Sequence, residues 1–165
     1  MVDAFGLVPT KEARLCLAGT FMPQALQSEI EVLPGWVKTN FLGWADRGQV
    51  AALLASVRAG LVLLHPTERY PDAYPVKMFE YMAASLPVIA SDFPLWRQIV
   101  DGAGCGLLVD PLDPKAIAGA IQWLLDNPHE AEAMGRRGRQ AVATEYNWDR
   151  ETRKLVALYN RMLGS

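Results

Sequence analysis

The segment DAYPVKMFE, residues 72–80, places a lysine and a glutamate one helical turn apart. Pro75 predicts the first position of a helix over residues 75–85, because proline is favoured there. Lys77 then lies at the end of the helix where the dipole is positive and a cation is unfavourable. The pattern raises the question of which group makes a lysine favourable at this position.

The predicted helix start has no good capping residue of its own. Tyr74 precedes it, and tyrosine is a poor cap. The first free amides belong to Val76, Lys77 and Met78. They have no evident side-chain acceptor unless Asp72 folds back. Uncapped amides at a positive helix end bind anions, and a bound diphosphate would satisfy them and make Lys77 favourable.

Glu80 lies one turn inside the same helix, where a carboxylate can accept two hydrogen bonds from a vicinal diol such as that of a ribose. Two ordinary alternatives stay open. Glu80 is a surface glutamate, and Lys77 is solvated or pairs with it, which contributes only about 0.2–0.5 kcal/mol. The buried stripe of this helix is predicted to consist of Val76, Phe79 and Ala83.

The composition describes one domain of 165 residues with 51% hydrophobic residues and a formal net charge of −2 at pH 7. This charge gives no general attraction to nucleic acid or to an anionic membrane. The sequence has no signal peptide and no apolar run of transmembrane length, so a soluble, cytoplasmic protein is predicted. Cys16 and Cys105 adjoin apolar runs and are predicted to be buried, reduced thiols.

Short apolar runs alternate with helical patterns along most of the chain. The predicted strands are 14–19, 37–43, 61–66, 87–91 and 106–110. The predicted helices between them are 23–33, 47–58, 75–85, 94–101 and 114–126, the last capped by Asp113. This alternation predicts an α/β fold with a doubly wound, Rossmann-like and mostly parallel sheet.

Both ends of the chain depart from the alternation. Residues 129–145 and 148–163 predict two successive helices, and the second carries an apolar stripe of Leu155, Leu158, Tyr159 and Met162. The chain opens with a helix-like segment before its first strand. Because a doubly wound fold usually begins with a strand, a central strand is predicted to be missing from this chain.

Ligands of such sheets bind beyond the carboxyl ends of the strands. The longest loop there is HPTERYPDAYP, residues 65–75. This loop lies within the segment from LVLLHP to PVIASD, which resembles part of the nucleotide-binding half of retaining glycosyltransferases of the GT-B fold, the glycosyltransferase group 1 family. The resemblance extends to four further segments, FLGWAD, GCGLLVDPLDPKAIAGAI, MGRRGRQAV and YNW. The resemblance runs from about Arg14 to the C-terminus.

The resemblance implies a donor-binding domain that holds a UDP- or GDP-linked sugar, from which a hexose is moved to a glycan or lipid-linked acceptor without a metal or cofactor. The second glutamate of the family's Glu-x7-Glu element matches Glu80 and binds the ribose. Its first acidic residue lies near the donor sugar and matches Asp72, where this chain has aspartate instead of glutamate. Glu68 is an alternative outside the spacing. Asp72 and Lys77 are therefore the predicted catalytic residues.

Backbone amides ahead of the helix face the sugar and diphosphate in that family. This chain has Tyr74 and Pro75 there, and since proline lacks an amide hydrogen, Val76 and Lys77 would make those contacts. Ala73 and Tyr74 complete the predicted substrate-binding loop.

The segment FLGWAD resembles the loop that lines the nucleobase, which assigns Trp44 and Ala45 to substrate binding. A Trp44 that merely caps the edge of the core is an equal alternative. His65 ends a strand at the rim of the site, but it is not a credible metal ligand, because the sequence holds one other histidine, His129, and no cysteine nearby.

The chain also lacks parts of the family pattern. The opening strand, a glycine-rich turn, a basic pair that clamps the diphosphate and the whole acceptor-binding half are absent. Residues 1–165 are thus predicted to form a single nucleotide-sugar-binding domain without transfer activity of its own, with the helix over 148–163 packing on the absent half. The resemblance further implies bacterial polysaccharide assembly, with peripheral membrane association of the full enzyme. Unpaired sheet edges leave the oligomeric state open.

Three other functions stay open. A sugar-nucleotide epimerase of the same shape would share the nucleotide site. A dinucleotide-dependent dehydrogenase is disfavoured, because no G-x-G-x-x-G follows an opening strand. A degenerate domain would only bind a partner through its last helix.

Overall fold

The computed structural model describes residues 1–163 and shows an α/β fold in which all strand pairings are parallel. The strands are β1 (Leu15–Leu17), β2 (Thr39–Phe41), β3 (Gly60–Val62), β4 (Val88–Ser91) and β5 (Gly106–Val109). The helices are α1 (Val2–Gly6), α2 (Ala25–Glu31), α3 (Arg47–Ser56), α4 (Val76–Ala83), α5 (Pro94–Ala103), α6 (Pro114–Asp126), α7 (Pro128–Thr144) and α8 (Trp148–Leu163), with a 3-10 helix over Pro34–Lys38. The predicted α/β class is confirmed. The last two residues of the predicted domain, 164 and 165, lie outside the described residues.

The strands form two sheets instead of one. The first pairs β1 with β2, and the second has the order β3-β4-β5. Leu15 faces Thr39 in the first register, and Gly60 faces Val88 in the second. Among the described residues β1 and β3 belong to different sheets and are not paired with each other. The missing central strand stays a prediction.

Two hydrophobic clusters form the core. One joins β1 and α1 to the inner face of α6, where Ile117, Ile121 and Leu124 are buried. The other lies around β4 and packs α4 and α5 together, with Trp96 fully buried at its centre.

Both cysteines are free thiols. Cys105 is buried, as the sequence predicted, whereas Cys16 is only half-buried. Burial raises the pKa of the Cys105 thiol to about 11, which keeps it protonated at neutral pH.

Helix α4 begins one residue later than the sequence predicted, and it buries a different face. Pro75 is the N-cap and Val76 the first helical residue. The predicted stripe is wrong, because Val76 is 69% exposed whereas Met78 and Met82 are fully buried. Their long, flexible side chains lie one turn apart on the same face and belong to the hydrophobic cluster around β4.

Helices α3 and α8 leave their apolar side chains exposed or half-buried. Within the described chain neither helix contains a buried residue. The predicted stripe of α8 is exposed throughout. Its packing on another part of a larger protein stays a prediction.

Candidate functional site

The long loop over residues 65–75 is fastened near both of its ends by buried side chains. The Ser91 hydroxyl, at the end of β4, donates to the carbonyl of Leu64 at 2.8 Å and accepts from the Leu64 amide at 2.9 Å. At the other end the indole Nε1 of Trp96 donates to the carbonyl of Ala73 at 2.8 Å. Both Ser91 and Trp96 have no exposed surface, so the core of the second sheet sets where this loop begins and ends.

Asp72 lies at the tip of a turn within this loop. The amide of Ala73 donates to the carbonyl of Tyr70 at 3.2 Å and closes the turn. Asp72 is exposed there. The side chain does not fold back to cap α4, since no side-chain cap of that helix exists among the described residues.

The start of α4 presents two backbone donors. The amide of Met78 donates to the carbonyl of Pro75 at 3.0 Å, which corrects the expectation that it is free. Within residues 1–163 the amides of Val76 and Lys77 donate no hydrogen bond of this turn or cap type. This end of α4 therefore carries the partial positive charge of an uncapped helix terminus.

Lys77 pairs with Glu80 at this helix start. The Lys77 Nζ and the Glu80 Oε2 lie 2.8 Å apart, and their side chains are 63% and 43% exposed. The hydrogen bond to Glu80 raises the pKa of the Lys77 ammonium, partial burial lowers it, and the charge of Glu80 raises it further. The pairing that the sequence left open is thus formed, but at such exposure it is weak.

Tyr81 lies beside this pair and packs on β3. A Cβ atom at Gly60 would collide with the Tyr81 ring, so the glycine allows α4 to approach the strand closely. Burial raises the pKa of the Tyr81 phenol. The close packing fixes the helix that carries Lys77 and Glu80.

Trp44 and Ala45 follow β2 and precede α3. Asp46 caps α3 by accepting from the amide of Gln49 at 2.8 Å, and the Gln49 side chain accepts from the Asp46 amide at 2.9 Å. This capping box fixes the turn that holds Trp44. Trp44 is 73% exposed, so it does not cap the core.

A cleft of about 760 Å3 between the two sheets brings part of the predicted site together. Trp44 and Ala45 line it, and so do Lys77 and Glu80. The other predicted site residues, Asp72, Ala73, Tyr74 and Val76, lie outside its described lining. The structure thus gathers the residues predicted for the nucleobase, the diphosphate and the ribose, and leaves those predicted for the sugar on the adjacent loop.

Sequence reasoning missed the residues that support this loop. Ser91 and Trp96 belong to an apolar strand end and a helix start, and nothing in their sequence context distinguishes them from ordinary core residues. The same holds for the aromatic row in which Phe79 lies between Tyr74 and Tyr146, with ring centroids 6.3 and 5.3 Å away.

Two further observations concern the described residues as a whole. None of the helices within residues 1–163 combines the length and the apolar character needed to cross a membrane. In the same part of the chain, no three His, Cys, Asp or Glu side chains come together as a set that could hold a metal ion.

Comparison with curated proteins finds several glycosyltransferases. The chain is 29% identical over 103 residues to the D-rhamnosyltransferase of Pseudomonas aeruginosa, covering 62% of this chain and 26% of that protein. It is 27% identical over 154 residues to the phosphatidyl-myo-inositol mannosyltransferase of Mycobacterium leprae, covering 93% of this chain and 39% of the relative. The chain therefore spans well under half the length of these relatives.

Solved structures share the fold. The sucrose-phosphate synthase of Thermosynechococcus elongatus superposes with a TM-score of 0.84 at 25% identity, over 99% of this chain and 41% of that one. Anabaena HepE in complex with UDP superposes with a TM-score of 0.83 at 16% identity, over 97% of this chain and 44% of that one.

The sequence model of one family matches most of the chain. The match covers residues 1–141 and includes the cleft residues and the loop described above. The chain belongs to the family of glycosyl transferases group 1.

Proposed function

We propose that this chain is the donor-binding domain of a retaining glycosyltransferase, which moves a hexose from a UDP- or GDP-linked sugar to a glycan or lipid-linked acceptor. The observation that carries the proposal is the uncapped start of α4, with Lys77 and Glu80 on the wall of a cleft that Trp44 and Ala45 also line. Family membership supports it, as do the complexes of the neighbour HepE with UDP and with UDP-glucose.

The helix start would bind the diphosphate. The amides of Val76 and Lys77 would donate to its oxygens, and the Lys77 ammonium would leave Glu80 to neutralise its charge. Breaking the exposed pair costs little, because such i,i+3 pairs contribute about 0.2–0.5 kcal/mol. The released Glu80 carboxylate would then accept the ribose hydroxyls.

Transfer forms a bond between the anomeric carbon and an acceptor hydroxyl oxygen and breaks the bond between that carbon and the diphosphate oxygen. The electron pair of the broken bond stays on the diphosphate, and the hydroxyl proton passes to it. Negative charge therefore develops where the α4 amides and Lys77 already supply fixed positive charge. Asp72, on the turn that Trp96 supports, would orient the sugar with Ala73 and Tyr74. Trp44 and Ala45 would contact the nucleobase. Under this proposal the reaction requires no metal or cofactor besides the donor.

The acceptor would come from a second half that residues 1–163 do not contain. Closing the two halves would align the acceptor and exclude water. The exposed stripe of α8 would pack on that half, and residues 1–165 alone would transfer no sugar. The relatives named above come from bacteria, which supports a bacterial role. We further propose that the full enzyme is cytoplasmic, takes part in glycan assembly and associates peripherally with the membrane.

Calorimetric titration of the folded chain with UDP, GDP and their sugar conjugates tests the proposal. One of these nucleotides should bind, and Glu80→Ala should weaken it. Glu29→Ala removes an exposed glutamate of α2, which is not among the cleft-lining residues, and should leave binding unchanged. Equal binding by all three proteins would contradict the assigned ribose site.

Product analysis separates the alternatives that the sequence left open. Sugar transferred to an acceptor by an enzyme containing this domain supports the proposal. An epimerised nucleotide sugar would identify an epimerase of the same fold instead. A chain that circular dichroism shows to be folded, and that binds neither nucleotide, would favour the partner-binding domain.

A further inference from the structure

An aromatic row of three side chains joins the loop ahead of α4 to the turn between α7 and α8. Tyr74 belongs to the loop, Phe79 to α4 and Tyr146 to the turn. The ring centroids of Tyr74 and Phe79 lie 6.3 Å apart, and those of Phe79 and Tyr146 lie 5.3 Å apart. Both distances fall within the range of attractive aromatic pairs. The row thus links two segments that are far apart in sequence.

The inner part of the row is anchored in the core. Phe79 and Tyr146 are both half-buried, and both pack against the hydrophobic cluster around β4. Tyr74, at the outer end, is 62% exposed. The position of the Tyr74 ring therefore depends on Phe79, and Phe79 packs in turn on Tyr146.

The turn that carries Tyr146 is held by hydrogen bonds to both neighbouring helices. The amide of Tyr146 donates to the carbonyl of Ala141 in α7 at 3.1 Å. The side chain of Asn147 donates through Nδ2 to the carbonyl of Ala143 at 3.0 Å, and its Oδ1 accepts from the amide of Arg150 at 3.0 Å. Asn147 thus satisfies a carbonyl at the end of α7 and an amide at the start of α8. The Tyr146 ring therefore projects from a well-supported backbone.

The outer end of the row lies on the loop that carries the residues proposed for the sugar. Tyr74 directly follows Ala73, whose carbonyl accepts from the buried indole of Trp96 at 2.8 Å. That hydrogen bond and the contact of Tyr74 with Phe79 are two separate supports of the loop. Asp72 comes one residue before Ala73, so both supports limit where its carboxylate lies.

Helix α4 has anchors besides the row. Met78 and Met82 are fully buried, and Tyr81 packs closely on Gly60 of β3. Loss of a ring from the row should therefore loosen the loop more than the helix start that carries Lys77.

We propose that Tyr146 is a positioning residue of the donor site. Through Phe79 it holds Tyr74, and with it the loop over residues 70–75, in the place where the sugar of the donor binds. This inference rests on the proposed function, which assigns side chains of that loop to the sugar. It deepens that function, because it makes the turn between α7 and α8 a support of the site, although Tyr146 is not among the described residues that line the cleft.

Exchange of the Trp96 indole hydrogen, followed by NMR without ligand, tests whether Tyr146 holds the loop. Tyr146→Leu removes the ring and should speed this exchange about threefold to tenfold, because the loop opens more often and exposes the hydrogen bond to Ala73. Tyr146→Phe keeps the ring and should leave the rate unchanged. The Leu42 amide, which donates to Leu17 in the first sheet, is the internal reference for general stability. An unchanged indole rate in Tyr146→Leu, or the same acceleration at Leu42, would overturn the proposal.

Phe79→Leu interrupts the row at its centre and keeps the test decisive if Tyr146→Leu does not fold. It should speed exchange of the Trp96 indole by a similar factor. Phe21→Leu, in the separate aromatic cluster around Trp36, is the matched control and should leave that exchange unchanged. An indole rate in Phe79→Leu that equals the wild-type rate would overturn the proposal.

Calorimetric titration with paired ligands tests the role of Tyr146 in donor binding. The pairs are UDP with UDP-glucose and GDP with GDP-mannose. For the pair that the wild type binds, Tyr146→Leu should weaken the sugar conjugate about threefold to tenfold and change the Kd of the nucleoside diphosphate by less than about twofold. Tyr146→Phe should restore the wild-type ratio of the two affinities. Equal weakening of both ligands would indicate a general structural effect and would overturn the proposal.

The proposed function and this inference can fail separately. A folded wild type that binds none of these ligands would contradict the proposed function. The indole exchange needs no ligand, so it would still decide whether Tyr146 holds the loop.

Discussion

The starts of α4 and α6 have similar residues but differ in how their first amides are satisfied. Both carry a lysine as the second helical residue, Lys77 in α4 and Lys115 in α6. In α6 the Asp113 carboxylate accepts from the amides of Lys115 at 2.8 Å and Ala116 at 3.2 Å. In α4 the cap is Pro75, which has no side-chain acceptor.

The difference separates a structural helix start from one suited to a ligand. A carboxylate at the cap already occupies the place that an anion would take and compensates the dipole and the lysine. Without it, α4 retains free donors, and the charge of Lys77 is balanced by Glu80 one turn further on. Both helices have a lysine at their second position, and of the two only α4 lacks a side-chain cap beside it.

The largest effect is expected on turnover. In an enzyme that joins this domain to an acceptor-binding half, Lys77→Ala should lower kcat on the order of 100-fold, because it removes charge that stabilises the leaving diphosphate. The Kd of the nucleotide should change less. Lys115→Ala is the matched control and should leave steady-state rates unchanged; wild-type turnover of the Lys77 variant would remove this residue from the mechanism.

Giving α4 the cap of α6 should close the anion site. Pro75→Asp supplies a carboxylate to the amides of Lys77 and Met78, as Asp113 does at the matching positions of α6, and repels a diphosphate, so nucleotide affinity should fall by about tenfold or more, equivalent to about 1.4 kcal/mol. Pro75→Ala, which adds no acceptor, is the control. The Asp variant should also exceed the Ala variant in stability by about 1 kcal/mol in urea denaturation. Unchanged affinity of Pro75→Asp would refute a diphosphate at this helix start.

Removing the cap of α6 should lower the stability of the protein and leave its nucleotide affinity unchanged. Asp113→Ala leaves the amides of Lys115 and Ala116 without their acceptor and should lower the free energy of unfolding by about 1 kcal/mol. Nucleotide affinity should stay the same, because α6 contributes no predicted site residue. A change in affinity with unchanged stability would reverse the roles assigned to the two helix starts.

The support of the loop ahead of α4 can be tested by deleting one hydrogen bond. Trp96→Phe keeps an aromatic ring in the core and removes the donor to Ala73, which should cost about 1 kcal/mol of stability and weaken nucleotide binding modestly. Trp123→Phe, at a more exposed position of α6 that is 39% accessible, controls for the loss of an indole. Equal stability losses in the two variants would argue against a special role of the Ala73 contact.

The smallest expected effect is the change in thermal stability with pH that the Lys77–Glu80 pair causes. The pKa of Lys77 is raised from its ordinary value of 10.5, chiefly by its hydrogen bond to Glu80. The stabilisation by this pair is therefore complete below that value and is lost as the pH rises through the higher pKa of the folded state. Thermal melts of the wild type and Glu80→Gln should differ by a constant amount at neutral pH and converge in strong alkali. A difference that instead grew with pH would contradict the assignment.

Some of this arrangement follows from local rules of sequence and some does not. The Asp113 cap and the poor cap of α4 were predictable, because capping depends on one or two neighbouring residues. The burial of Met78 and Met82 was not, since an amphipathic helix with several apolar residues can turn more than one face inward until its neighbours are known. The hydrogen bond of Trp96 to Ala73 joins residues far apart in sequence, which no periodic pattern indicates.

The division of the sheet was predictable only in part. The order of elements led to the prediction of a missing central strand, which stays untested, but it did not indicate that the strands would form two sheets around a cleft. That outcome depends on whether β1 can pair directly with β3. In residues 1–163 these two strands are not paired, and residues of α3 and α6 line the cleft between them.

Amide chemical shifts of the isotope-labelled chain, recorded during titration with UDP or GDP and with the corresponding nucleoside, test the central claim most directly. The account predicts that the diphosphate shifts the amide signals of Val76 and Lys77, that the nucleoside does not, and that the signals of Lys115 and Ala116 remain in place throughout. Shifts of equal size at both helix starts, or signals of Val76 and Lys77 that stay unmoved at saturating nucleotide, would contradict it.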